Sequence, residues 1–77
     1  MTEERLKKNI AKNLSSLRKS AGLTQAELGE KLTYSDKSIS KWERGDGIPD
    51  LKTLCKMAEL FSVSLDFFVT DGASEQL

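Results

Sequence analysis

An all-α domain of five short helices is the fold class that this sequence predicts, and three observations carry it. Apolar residues recur at spacings of three and four almost throughout, the period of a helix face rather than a strand. Glycine and proline are sparse, five and one in 77 residues, and fall between the periodic stretches with the sole exception of Gly29. Ser, Thr or Asp stands immediately before each stretch, where a helix needs a side-chain acceptor for its free N–H groups.

The first helix starts at Thr2, with Glu3 and Glu4 in the turn where the helix dipole favours anions. Leu6, Ile10, Leu14, Leu17 and Ala21 form its apolar stripe, and Arg18 lies beside that stripe. Gly22 then ends the helix in a left-handed conformation. Thr24 and Glu27 make a capping box for the second helix, with Leu23 and Leu28 as its hydrophobic staple. Leu28 and Leu32 point to the core, and a small residue at Gly29 fits a close crossing by another helix, the alternative being a tolerated surface Gly. After a turn at Thr33 and Tyr34, Ser35 caps the third helix, and Tyr34 can staple onto Ile39. Gly45 ends it, Asp46–Pro49 is a loop, and Asp50 caps the fourth helix. Leu51, Leu54, Cys55, Ala58 and Phe61 are expected on its inner face. Ser64 caps a last helix, from Leu65 to about residue 69, and residues 71–77 are expected as a polar, frayed tail.

The third helix carries the functional signal. At 100° per residue, Asp36, Lys37, Ser40, Lys41 and Arg44 share one arc, while Ile39 and Trp42 occupy the opposite one. Such a helix can be held by its back and present its front to a polyanion. The net charge is zero, but its distribution is polar along the chain. Residues 1–22 hold six Lys/Arg and two acids, whereas residues 46–77 hold two and six. Local potential matters more than the sum when phosphates are the partner.

Other chemistries lack their residues. There is no His, so no His–Cys zinc set and no base to activate the lone Cys55, which reads as a small core residue. Neither a Gly-rich phosphate loop nor a membrane-length apolar run occurs. No enzyme activity, metal, cofactor or small-molecule ligand is expected. A single Cys fits a reducing, cytoplasmic setting.

The segments GLTQAELGEKL (22–32), SDKSISKWERG (35–45) and IPDL (48–51) together resemble the Xre/Cro family of helix-turn-helix regulators, which includes the lambdoid phage repressors. The resemblance covers about residues 6–70 and implies a compact five-helix domain over residues 1–70, with its motif at about 24–44. It further implies sequence-specific binding of double-stranded DNA by a bacterial or phage regulator, with the third helix in the major groove. Asp36, Lys37, Ser40 and Lys41 are then the candidates for base contacts, and Gln25, Ser35, Ser38 and Arg44 for phosphate. Arg18 and Glu43 match a partly buried ion pair of the family. A weak homodimer is expected through a patch of Leu60, Leu65 and Phe67, unless Phe67 folds back over the tail towards Leu77. The competing reading is a protein-interaction module that kept the fold, as an antitoxin arm or scaffold. Thr33 and Ser62 stand where the family often has Gly, and the loop bearing Asp46 has no Lys or Arg.

Overall fold

A computed structural model of the chain describes the backbone of residues 1–76 and the side chains of residues 1–75. It is all-helical: α1 (Glu3–Ser20), α2 (Gln25–Leu32), α3 (Asp36–Glu43), α4 (Leu51–Phe61) and α5 (Leu65–Val69), followed by a 3₁₀ turn at Ala73–Gln76. Local chemistry places the ends. The Thr2, Thr24, Ser35 and Asp50 side chains each accept an N–H three residues on, and Glu27 closes the capping box by accepting from the Thr24 N–H at 2.9 Å. That bond holds the Glu27 carboxyl below its ordinary pKa, and donors on Thr53 do the same for Asp50. Ser64 precedes α5 in extended conformation but makes no side-chain cap bond.

Ile10, Leu14 and Leu17 of α1 meet Leu28, Leu32, Ile39 and Trp42 of α2 and α3, with Leu54, Met57 and Phe68 closing the core from the other side. Ala21 is exposed at the end of α1 and takes no part. The α4 face differs from the expected one in part: Leu54 is buried and Ala58 and Phe61 pack against the core, as expected. Leu51 and Cys55 are exposed, and Thr53, Leu54 and Met57 point inward. Two apolar stripes run along α4 at the same spacing, and the helix turns the one containing Met57 to the core. Thr53 is tolerated inside because its hydroxyl meets the Tyr34 hydroxyl at 3.1 Å. Tyr34 itself stands edge-on to Trp42, with centroids 5.0 Å apart.

The tail is not frayed over the described residues. Ser74 is buried, and its N–H donates to Asn13 Oδ1 at 3.1 Å. The two N–H groups of the Asn13 amide are shared among the carbonyls of Phe67, Phe68 and Thr70, at 2.9–3.0 Å, and Asn9 donates to that of Val69 at 3.0 Å. Two asparagines one turn apart thus satisfy the carbonyls that a five-residue helix leaves free. Phe67 is correspondingly not the exposed residue expected. It is half-buried, packs against the core and lies edge-on to Phe68. The contact with Leu77 considered above falls outside the described residues.

Thr33 and Ser62 end α2 and α4 in the left-handed region, at φ +65° and +56°. Each bears a Cβ where Gly would be unstrained, at a cost of about 1–2 kcal/mol per residue. Thr33 is the more strained, because it is β-branched.

Candidate nucleic-acid interface

The interface candidate is built by the packing of α2 against α3. Tyr34 N–H donates to the Gly29 carbonyl at 2.7 Å, so the turn folds directly back onto α2. A Cβ on Gly29 would lie 2.6 Å from the Tyr34 carbonyl oxygen and 3.1 Å from Ser35 backbone atoms. The small residue is therefore required by the turn's backbone rather than by a crossing helix.

Behind α3 sits a nearly dry ion-pair network. Arg18 Nε donates to Glu43 Oε2 at 2.7 Å and Nη2 to Oε1 at 3.0 Å, with side chains only 11 % and 7 % exposed. Arg18 Nη1 also donates to the Leu23 carbonyl at 2.8 Å. The Glu43 hydrogen bond raises the Arg18 pKa further, against the opposing effect of burial, so the guanidinium stays charged. Gln25 joins the network by donating Nε2–H to Glu43 Oε1 at 3.1 Å. Gln25 therefore has one amide N–H committed inside the protein and one left for an outside acceptor. The network ties α1, the start of α2 and the end of α3 into one rigid frame.

On the front of α3, Asp36, Lys37 and Lys41 are exposed, and neither lysine has a carboxylate partner among the described residues. The Lys41 stem runs beside Gly47, whose Cβ would lie 3.0 Å from Lys41 Cε. Ser35 is exposed and accepts the Ser38 N–H at 3.3 Å, so its own O–H is free to donate outward. Ser38 is half-buried beside it, with the two hydroxyl oxygens 3.5 Å apart.

Arg44 and Ser40 are more engaged than sequence suggests. Arg44 Nη1 donates to Ser40 Oγ at 2.6 Å, and Nε donates to Asp46 Oδ2 at 3.0 Å. Asp46 thus occupies the guanidinium of a candidate phosphate contact. This pairing is exposed at both ends, and such pairs contribute about 0–1 kcal/mol. A phosphate can displace it.

Of the candidate dimer residues, Leu60 and Leu65 are partly exposed, at 39 % and 37 %, while Phe67 is withdrawn. Leu51 is more exposed than either, at 66 %. No group of His, Cys, Asp and Glu among the described residues could hold a metal ion, and no described helix is long and apolar enough to cross a membrane.

Comparison with known proteins finds relatives of this sequence. Residues 14–68 match the helix-turn-helix family. The chain is similar to the HTH-type transcriptional regulator ImmR of Bacillus subtilis, with 38 % identity over 61 residues, 79 % of this chain and 48 % of the relative. It is 43 % identical over 53 residues to the HTH-type transcriptional activator BcrR of Enterococcus faecalis, covering 69 % of this chain and 26 % of that protein. The cryptic phage CTXphi transcriptional repressor RstR of Vibrio cholerae is 33 % identical over 57 residues, 74 % of this chain and 51 % of the repressor. The chain thus spans from about a quarter to about half the length of these relatives.

Proposed function

Because the chain belongs to the helix-turn-helix family, we propose that it binds double-stranded DNA sequence-specifically as a transcriptional regulator, with α3 in the major groove. The observation that carries this reading is the two-sidedness of α3. Ile39 and Trp42 are buried behind it, while Lys37 and Lys41 stand exposed and unpaired in front. Holding the backbone rigid while leaving the cations free lowers the ordering cost of reading base edges.

The roles divide by reach. Lys37 and Lys41 suit guanine O6 and N7, Asp36 the cytosine amino group, and Ser40 an acceptor on either kind of base, since its oxygen already accepts from Arg44. Ser35, Ser38, Arg44 and the free N–H of Gln25 suit phosphate. The regulator acts as a weak homodimer on paired half-sites in the cytoplasm. Leu65 and Leu60 remain its candidate contacts, and Phe67 contributes by supporting the surface from beneath.

Duplex binding measured against salt tests this reading. Lys37→Ala is expected to lose about 1–3 kcal/mol of discrimination at one or two base pairs. Arg44→Ala is expected to weaken all sequences alike and to flatten the log–log salt slope by about 0.9, one phosphate's worth. Uniform loss in both variants would remove base readout from Lys37. Salt-independent or absent duplex binding would leave a protein-interaction module.

A further inference from the structure

A cleft of about 570 Å³ opens between α1 and the end of α3, outside the reading face. Arg5, Lys8 and Lys12 line it from α1, Arg44 and Gly45 from the end of α3, and Asp71 from the tail. Arg44 belongs both to this cleft and to the front of α3, so the two surfaces are continuous. Glu43 also borders it but is committed to Arg18. The cleft is therefore a cationic extension of the interface, large enough for a phosphate group.

Its cations are largely taken. Asp71 Oδ2 lies 3.4 Å from Arg5 Nη2, and Glu75 Oε1 lies 2.9 Å from Lys12 Nζ. The Lys12 hydrogen bond holds the Glu75 carboxyl below its ordinary pKa, so it is ionised at neutral pH. Lys8 has no carboxylate partner among the described residues. Neither exposed pair is strong by itself. The carboxylates are kept in place by the buried anchor next to them, the Ser74 N–H on Asn13.

We propose that this cleft is a second backbone-binding surface for duplex DNA flanking the half-site, and that Asp71 and Glu75 occupy it as intramolecular stand-ins for phosphate. The proposal rests on the DNA-binding reading above. A flanking phosphate takes Arg5 and Lys12 only by displacing the two carboxylates. The tail therefore lowers affinity for all sequences equally and leaves discrimination to α3. Two of the twelve acids that bring the net charge to zero, Asp71 and Glu75, thus lie against the basic first helix.

The test uses the full chain and a labelled duplex of about three helical turns, titrated between about 50 and 200 mM salt. Asp71→Asn with Glu75→Gln keeps the tail's shape and anchor while removing its charge. This double variant is expected to bind several-fold more tightly at the low-salt end, with a slope steeper by about 1–2. Arg5→Ala should be nearly silent in the wild-type background, where Arg5 is already neutralised, and should flatten the slope by about one in the double variant. Equal effects of Arg5→Ala in both backgrounds would overturn the proposal. So would a double variant with wild-type affinity and slope, while duplex binding by the wild type would keep the DNA reading intact. A wild type that binds no duplex at any salt would sink both.

Discussion

Glu43→Ala is expected to cost about 3–5 kcal/mol of stability, because it strands a buried guanidinium. Arg18 is 11 % exposed and donates to both carboxylate oxygens of Glu43 in a bidentate pair. Without Glu43 it keeps only the Leu23 carbonyl as a described acceptor, and Gln25 loses its internal partner too. A domain of 77 residues sits near the low end of the usual 5–15 kcal/mol, so the loss consumes most of its margin. Thermal melting should show the variant largely unfolded, or melting tens of degrees lower. Arg18→Met with Glu43→Leu should recover much of the loss, since an apolar pair of similar volume strands no charge. Glu43→Ala melting like the wild type would remove the network from the account of the fold.

Gly29→Ala is expected to be the second most damaging change, at about 2–3 kcal/mol, and its sign is the informative part. In an exposed helix interior the same substitution gains up to about 1 kcal/mol. Here the new Cβ would meet the Tyr34 carbonyl oxygen at 2.6 Å and Ser35 backbone atoms at 3.1 Å. Neither is the end of a flexible side chain, so the α2–α3 turn itself must move. Loss of stability in a denaturant titration, with DNA affinity falling beyond what the unfolded fraction explains, is the expected result. A stabilised Gly29→Ala would mean that the turn does not press on α2.

What the sequence disclosed and what it hid divide along the range of the interactions. Helix ends are written in contacts of three or four residues, and Thr24 with Glu27, Ser35 and Asp50 each cap where their spacing predicts. Gly22 and Gly45 adopt positive φ for the same local reason. The Arg18–Glu43 meeting was legible from the family resemblance, with which the place of each residue at the border of its helix's apolar face agrees. The rotation of α4 was legible only in part: Leu54, Ala58 and Phe61 meet the core as their spacing predicts, but Thr53 and Met57 turn inward in place of Leu51 and Cys55. Only packing against Tyr34 and α5 selects between them. Nothing local to Asn9 and Asn13 shows that they collect carbonyls more than fifty residues away. The withdrawal of Phe67, the docking of Ser74 and the engagement of Arg44 by Asp46 are likewise properties of the assembled chain.

Selection of bound sites from a random duplex library is the most direct test of α3 as a base reader. Run in parallel with the wild type and Lys37→Ala, it should enrich related half-sites about one helical turn apart, 10–10.5 bp between centres. The wild-type half-site should contain a guanine whose preference is lost in Lys37→Ala while the rest of the motif survives. Wild-type pools no different from the input would contradict the placement of this helix in the major groove, and a motif untouched by Lys37→Ala would remove Lys37 from the base contacts.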